Sequence, residues 1–279
     1  MNLVRKIEEI LKNGGIEEYK QEADLIIQEI SGLDKAKLLI CDDIPNADKI
    51  EEIAKKRATS KAPIQHILGY SYFMDEKYIV NKNVLIPRDE TEILVSKCFE
   101  LLQNKTEKIH ILDIGLGSGC ISCALAKKLK DKDIEILGVD ISLEALEVAI
   151  ENINKLDLVR KVIIRKSDLF SKIRDIEKFD LIVSNPPYIP KKEKNNLQKE
   201  VRDFEPKEAL YAADEDGIEF YKKIIATAPN FLKKEGYLAF ELGIEQYKKV
   251  QELMEKDFED IKIYKDLAGI ERVITGKIK

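Results

Sequence analysis

Ile109-His110-Ile111-Leu112-Asp113-Ile114-Gly115-Leu116-Gly117-Ser118-Gly119 decides the fold. Its apolar half reads as a buried strand, and its three closely spaced glycines let the backbone turn sharply into whatever follows. A helical apolar pattern over 119–130 follows, so the stretch reads strand, tight turn, helix. Downstream the same alternation repeats. Ile134–Val139, Val162–Arg165, Leu181–Ser184 and Tyr237–Glu241 read as strands, and 142–155, 217–233 and 244–256 as helices. Strands alternating with helices predict a doubly wound, mostly parallel sheet covered on both faces. Ile261–Tyr264 and Arg272–Thr275 follow one another with no helical pattern between, so they predict an antiparallel hairpin at the sheet edge.

Upstream the texture differs. Leu3, Ile7, Ile10 and Leu11 share one helical face, and Gly14-Gly15 stops that helix. Ala23, Ile26, Ile27 and Ile30 repeat the pattern before Ser31-Gly32. A short helix around Lys35–Ile40 comes next, and Asn46 is expected to cap another carrying Ala47, Ile50, Ile53 and Ala54. Tyr70–Met74 and Tyr78–Val80 read as two strands around Asp75-Glu76-Lys77, and a helix is expected from Thr91 to Leu102. The expected organisation is therefore a small helical bundle over 1–60, a β-hairpin linker over 61–83, and the α/β domain over 84–279.

Composition narrows the function. The chain of 279 residues carries 47 Lys/Arg and 52 Asp/Glu, a formal charge of −5. Residues 1–80 hold 12 basic against 15 acidic groups, so the average hides no basic module. A broad phosphate-binding footprint is disfavoured. The first residues are amphipathic and charged rather than a signal peptide, and no apolar window is long enough to span a membrane. Four cysteines, Cys41, Cys98, Cys120 and Cys123, in a chain this long fit a reduced, cytoplasmic protein better than a disulfide scaffold. Cys120-x-x-Cys123 lies inside the helix after the glycine turn with no companion ligands, so it reads as two small core residues and no metal is assigned.

The glycine spacing separates two ligand classes. A dinucleotide fingerprint needs G-x-G-x-x-G, but here the third glycine comes one residue early and Cys120 holds the fingerprint position. G-x-G-x-G after a strand bearing an acid is similar to the nucleoside-binding turn of S-adenosylmethionine (SAM) enzymes. Asp113 would repel a pyrophosphate and suit an amino group. Gly115, Leu116, Gly117, Ser118 and Gly119 are the candidate cradle; the plain alternative is a ligand-free tight turn. Asp140, 25 residues after Gly115, ends the second strand, where a carboxylate can accept from both ribose hydroxyls or cap the helix near Ser142. Ser167-Asp168-Leu169-Phe170 ends the third strand, placing Asp168 and Leu169 as candidate neighbours of an adenine.

Phe179-Asp180-Leu181-Ile182-Val183-Ser184-Asn185-Pro186-Pro187-Tyr188 carries the chemistry. An apolar strand ends abruptly in Asn-Pro-Pro-Tyr, a turn that Asn and Pro also favour without function. An amide or aromatic amine is a poor nucleophile because its lone pair is delocalised. It presents two N–H donors. The Asn185 side-chain oxygen and the Pro186 carbonyl could accept both and aim the lone pair, while the prolines stiffen the loop and remove competing donors. The Tyr188 ring could stack on a planar acceptor and face a sulfonium. Such catalysis rests on orientation and fixed dipoles and needs no strong base.

With these residues in place the chain resembles the protein-(glutamine-N5) methyltransferases that modify peptide chain release factors, the HemK/PrmC type. The resemblance runs through Ala62–Gly69, Val84–Glu92, the glycine turn, Ser184–Ile189, Glu200–Pro206, Ala209-Leu210, Asp216-Gly217 and Lys265–Gly269. It implies a class I SAM-dependent methyltransferase domain joined by a hairpin to a helical substrate-recognition domain. It further implies SAM as co-substrate and the glutamine of a release-factor Gly-Gly-Gln loop as acceptor. Gly115–Gly119, Asp140, Leu169 and Asn185 would contact SAM, and Asn185, Pro186, Pro187 and Tyr188 would hold the glutamine. His66, Asp89, Leu116 and Leu169 depart from the usual residues of the family.

Three rivals share parts of this pattern. A nucleic-acid N-methyltransferase would use the same turn on a flipped base, but it needs a positive track that the charge balance does not supply. A local patch such as Lys191-Lys192-Glu193-Lys194 survives and reads as a solvated loop. A ribosomal-protein glutamine is a second acceptor class. A non-catalytic SAM-binding protein is the third, disfavoured by the intact acceptor turn. Arg88 and Glu90 fit either ligand contact or structural pairing.

Overall fold

The computed structural model describes residues 3–40 and 43–279; Cys41 lies outside the described residues. Two compact units are formed. One contains the chain up to Gly69 together with Lys199–Phe204, and the other contains Tyr70–Gln198 with Glu205–Lys279.

The first unit is helical: α1 (Leu3–Asn13), α2 (Tyr19–Ser31), α3 (Lys35–Ile40), α4 (Ala47–Ser60) and α5 (Ile64–Leu68). The apolar faces read from periodicity meet as one core of Ile7, Leu11, Ala23, Ile26, Ile27, Ile50 and Ala54. Gly32 ends α2 in the left-handed conformation, where a missing Cβ removes the steric cost. Asn46 does not act as the expected side-chain cap of α4. It sits at φ 60, and its amide donates to the Ile30 carbonyl at 3.0 Å, tying α4 to the end of α2 instead. The buried Arg57 of α4 forks onto Glu22 of α2, with both bonds at 2.7 Å, and also reaches Glu200. A buried guanidinium needs such partners to offset its desolvation.

The second unit opens with the hairpin β1 (Tyr70–Phe73) and β2 (Glu76–Ile79). Met74 and Asp75 both have positive φ, the mirror-image turn that matches strand twist. The order then runs α6 (Asp89–Leu102), β3 (Ile109–Ile114), α7 (Cys120–Lys128), β4 (Ile134–Asp140), α8 (Leu143–Lys155), β5 (Val162–Lys166) and β6 (Phe179–Ser184). It continues through β7 (Ile189–Pro190), a 3-10 turn over Lys191–Asn196, α9 (Lys199–Phe204, part of the first unit), α10 (Lys207–Leu210) and β8 (Tyr211–Ala212). It closes with α11 (Glu219–Thr227), β9 (Leu232–Glu241), α12 (Tyr247–Met254), β10 (Phe258–Lys265) and β11 (Glu271–Ile278).

The main sheet has strand order β10-β11-β9-β6-β3-β4-β5. β5, β4, β3, β6 and β9 are parallel, and β11 and β10 form the antiparallel edge that the sequence predicts. Side-chain alternation divides the core between two faces. Ile109, Ile111, Leu181, Val183 and Ala239 pack with α6 and α7, whereas Leu112, Ile114, Ile182, Leu238 and Phe240 pack with α11 and α12.

One helix is shorter than its periodicity suggests. The pattern over 217–233 gives α11 only to Thr227, then a 3-10 turn over Ala228–Asn230, because Pro229 supplies no N–H to continue the ladder. Strand β9 consequently begins at Leu232, ahead of the expected Tyr237.

The strand order locates the site. From β3 the chain runs outward to β4 and β5, then returns to lay β6 against the other side of β3. The carboxyl ends of β3 and β6 therefore diverge at a topological switch point, where open α/β sheets form their ligand crevice.

Candidate active site

A cavity of about 1220 Å³ opens at that switch point. Its wall includes Gly115, Leu116, Gly117 and Ser118 after β3, Asp140 at the end of β4, Asp168 and Leu169 after β5, and Asn185, Pro186 and Pro187 after β6. Residues more than 70 positions apart in the chain are brought together because four parallel strands end at one level.

The glycine turn is built for close approach. Gly115, Gly117 and Gly119 all have positive φ, a region that side chains other than glycine rarely adopt. The N–H groups of Gly115 and Leu116 both bond the Val139 carbonyl, which locks the turn to β4. Leu116 points inward over Gly138, where an added Cβ would sit 2.5 Å from Leu116 Cδ1. Ser118 is held from behind, because the buried Asn152 amide of α8 donates to its carbonyl at 2.9 Å. The same side chain bonds both backbone groups of Ile79 and so joins the hairpin to the turn.

Asp140 ends β4 with its carboxylate tied to two backbone N–H groups. One carboxylate oxygen accepts from Gly117 N–H and the other from Ser142 N–H, each at 2.9 Å. The capping of α8 itself falls to Ser142, whose hydroxyl accepts from Ala145 N–H. Each Asp140 oxygen keeps acceptor capacity toward the cavity, since a carboxylate oxygen offers two lone pairs. Leu169 takes a left-handed φ of 46, and the Ser167 hydroxyl holds this turn by donating to the Leu169 carbonyl at 2.8 Å.

Asp113 departs from its expected place. It is fully buried beneath the turn, accepts from the Ser122 hydroxyl of α7 at 2.7 Å, and is not part of the cavity wall. Alternation along β3 turns it to the α7 face. Burial is the main cause that lifts its carboxyl to about 7; the Ser122 bonds oppose this and the Asp140 charge adds to it.

The Asn-Pro-Pro-Tyr turn is anchored on three sides. Ser184 donates to the Ile114 carbonyl at 2.7 Å, which pins β6 to β3 beside the glycine turn. Asn185 Nδ2 lies 3.4 Å from Thr91 Oγ1. Tyr188 is not in the cavity wall. Its ring packs against the core on the α11 and α12 face, its hydroxyl donates to Glu241 at 3.4 Å, and burial raises the pKa of that hydroxyl. Gln246 clamps the turn by donating to the Tyr188 and Asp216 carbonyls, both at 2.9 Å.

Arg88 and Glu90 also lie outside the wall. Arg88 pairs with the buried Glu205, whose other oxygen accepts from Ile86 N–H, and Glu90 stands 3.8 Å from Arg272. Lys191 and Lys194 are exposed, as a solvated loop requires, and they also border the cavity together with Lys82 and Lys207. Cys98, Cys120 and Cys123 are buried thiols. Among the described residues no His/Cys/Asp/Glu group could hold a metal ion, and no helix is long and apolar enough to cross a membrane.

Thr91, Glu241, Gln246 and Asn152 escaped sequence reasoning. Glu241 carried a signal, an acid closing an apolar strand as Asp140 does. Thr91 and Asn152 are ordinary helix residues and Gln246 directly precedes α12, and each finds partners on distant strands and loops.

Residues 89–203 match the family model "Methyltransferase small domain", and residues 2–69 match "PrmC N-terminal domain". A release factor glutamine methyltransferase of Fusobacterium nucleatum is 39% identical over 99% of this chain and 78% of its own length. One from Geobacter sulfurreducens is 37% identical over 96% of this chain and 93% of its own length. Among solved structures, the hMettl16 catalytic domain in complex with a MAT2A 3'UTR hairpin is similar with a TM-score of 0.57. It is 16% identical and the match covers 81% of each chain, a likeness of fold alone.

Proposed function

Because the chain belongs to the family of release factor glutamine methyltransferases, we propose that it transfers a methyl group from SAM to the side-chain amide nitrogen of the glutamine in a release-factor Gly-Gly-Gln loop. One observation carries the reading at atomic level: the Asn185-Pro186-Pro187 turn and the glycine turn with Asp140 line one cavity.

The residues present fit the co-substrate. Gly115 and Gly117 line the cavity, and an added Cβ on either would meet nothing closer than 3.9 Å, which leaves room for close backbone approach; Asp140 retains acceptor capacity for a ribose. Gly115, Leu116, Gly117, Ser118, Asp140, Asp168, Leu169 and Asn185 would hold SAM; Gly119, which lies outside the cavity wall against Ala149, and Asp113 would act from behind by supporting the turn. SAM supplies an electrophilic methyl on a cationic sulfur.

The protein's part is acceptor control. Asn185 Oδ1 and the Pro186 carbonyl accept the two amide N–H groups and turn the nitrogen lone pair toward the methyl. Pro186 and Pro187 offer no N–H to compete, and Tyr188 anchors the turn through Glu241 and Gln246. Orientation and dipole placement of this kind lower the barrier without a strong base, since the proton leaves after nitrogen becomes cationic. The leaving group departs from a cation, so the proposed reaction calls for no metal.

We assign substrate recognition to the helical segment over 1–60, the joining role to the hairpin segment over 61–83, and catalysis to 84–279. The formal charge of −5 supports a protein acceptor over a polyanion and argues against stable nucleic-acid binding, while the sparse cysteines support a reduced, cytoplasmic setting and the lack of a long apolar window argues against a membrane span. The test pairs two substrates with tritiated SAM. Label should enter a purified release factor and not duplex DNA; label in DNA alone overturns the reading.

A further inference from the structure

Building on the function proposed above, we infer that Glu241 is a positioning residue that sets the polarity of the Asn185 amide through the Thr91 hydroxyl.

The sheet places the pair. In the parallel β6–β9 register Ser184 stands beside Phe240, so Asn185 and Glu241 leave neighbouring strands at the same level. Alternation turns Glu241 toward the α6 face, where Thr91 lies in the first helical turn. Thr91 Oγ1 donates to Glu241 Oε2 at 2.6 Å, and both side chains are buried.

The direction of donation follows from chemistry. An ionised carboxylate only accepts, and a hydroxyl has one hydrogen. With Thr91 donating to Glu241, the Thr91 oxygen can only accept from Asn185. The end of the Asn185 amide that completes this contact is therefore Nδ2, at 3.4 Å. Oδ1 then remains as the acceptor for the cavity, which is what a glutamine NH2 requires. Were Glu241 protonated, it could donate to Thr91, Thr91 could donate to Asn185 Oδ1, and the amide would present NH2 to an incoming NH2. Two donors facing each other cannot pair. The carboxylate thus acts two residues away from the acceptor position.

The groups facing Glu241 are few. Thr91 and Glu90 come from α6, the Tyr188 hydroxyl from the turn, Arg272 from β11 and Cys120 from α7; the Tyr221 hydroxyl of α11 donates to the Glu241 backbone carbonyl at 2.8 Å. Burial dominates and lifts the Glu241 carboxyl to about 7, with Glu90 adding to the rise and Thr91, Tyr188 and Arg272 opposing it. The polarity switch therefore falls near neutral pH.

The experiment measures methyl transfer from tritiated SAM to purified release factor between pH 5.5 and 8.5. It compares wild type, Glu241→Gln, Thr91→Val and Thr91→Ser, with SAM binding and thermal melting checked for each. Wild-type kcat should fall about tenfold per pH unit on the acid side of a single ionisation near 7. Glu241→Gln should lose about tenfold or more in kcat at pH 8, lose the acid limb, and keep SAM affinity within about threefold. Thr91→Val should lose kcat similarly, and Thr91→Ser should recover most of the loss. A wild-type acid limb and kcat in folded Glu241→Gln overturn the inference. So does a flat wild-type profile from pH 6 to 8, which needs no variant to fold. Wild-type transfer to release factor at pH 8 separates the two claims: without it the substrate reading falls and the inference with it, whereas with it a normal Glu241→Gln removes the role of Glu241 alone.

Discussion

Gly217 sits so close to the Tyr188 carbonyl that a Cβ on it would stand 2.0 Å from the oxygen. Its φ of +71 is also in the left-handed region. The segment before α11 thus closes directly on the backbone of the acceptor turn, and Gln246 bonds both sides of the approach.

Gly217→Ala should therefore damage activity and stability together. The left-handed backbone alone costs about 1–2 kcal/mol for a residue with a Cβ, and the collision with fixed backbone adds to it. Gly269→Ala supplies the comparison, since Gly269 has φ +82 and nothing within 4 Å of an added Cβ. Melting temperature and methyl-transfer rate should fall much further in the first variant than in the second. Equal effects would show that the Tyr188 approach carries no weight.

Asn185→Ala should keep SAM affinity within a few-fold and lose methyl transfer by about a hundredfold or more, the scale of removing one positioned catalytic dipole. Isothermal titration with SAM and a single-turnover assay separate the two effects. Full turnover on saturating release factor would remove Asn185 from the chemistry.

Asp140→Ala should act on binding first. The side chain holds Gly117 and Ser142 N–H groups and faces the proposed ribose site. Losing charge-assisted hydrogen bonds of this kind costs about 1.5–3 kcal/mol, so the SAM dissociation constant should rise about tenfold or more. A titration with unchanged affinity would contradict the placement of the ribose.

Asp113 makes stability depend on pH in a defined direction. Its folded-state carboxyl is raised to about 7, whereas an unfolded aspartate ionises near 3.8. Between those values the folded chain keeps a proton that the unfolded chain has lost. Its contribution to stability is thus complete below about 4 and lost as pH rises through 7. Glu241 acts in the same sense and window. Asp113→Asn should therefore flatten the decline of melting temperature from pH 5 to 8, though not abolish it. It should be more stable than wild type at pH 8, where the wild-type carboxyl is ionised and buried. An unchanged pH profile would place the proton elsewhere.

The candidate site was legible wherever a local pattern carried it. The glycine spacing, Asp140 and Asn185-Pro186-Pro187 each sit at the end of an apolar run, and parallel strands deliver such ends to a common crevice. Two side chains resisted this logic. Asp113 and Tyr188 belong to the same motifs, but both turn into the protein. Asp113 follows the strand's two-residue period to Ser122, and Tyr188 follows its hydroxyl to Glu241. A motif specifies residue types and spacing, whereas the face a side chain takes depends on what packs against it.

Taken alone, the sequence determined the alternation of strands and helices, the antiparallel edge and the helical N-terminal segment. These follow from periodicity, glycine and proline, which act over a few residues. Only the tertiary structure decided that Thr91, Glu241 and Gln246 would stand behind Asn185 and Tyr188. Their separation along the chain leaves no local trace. It is the return of β6 to the side of β3, and of β9 to the side of β6, that gives a buried carboxylate a hydroxyl to orient and gives that hydroxyl an amide to hold.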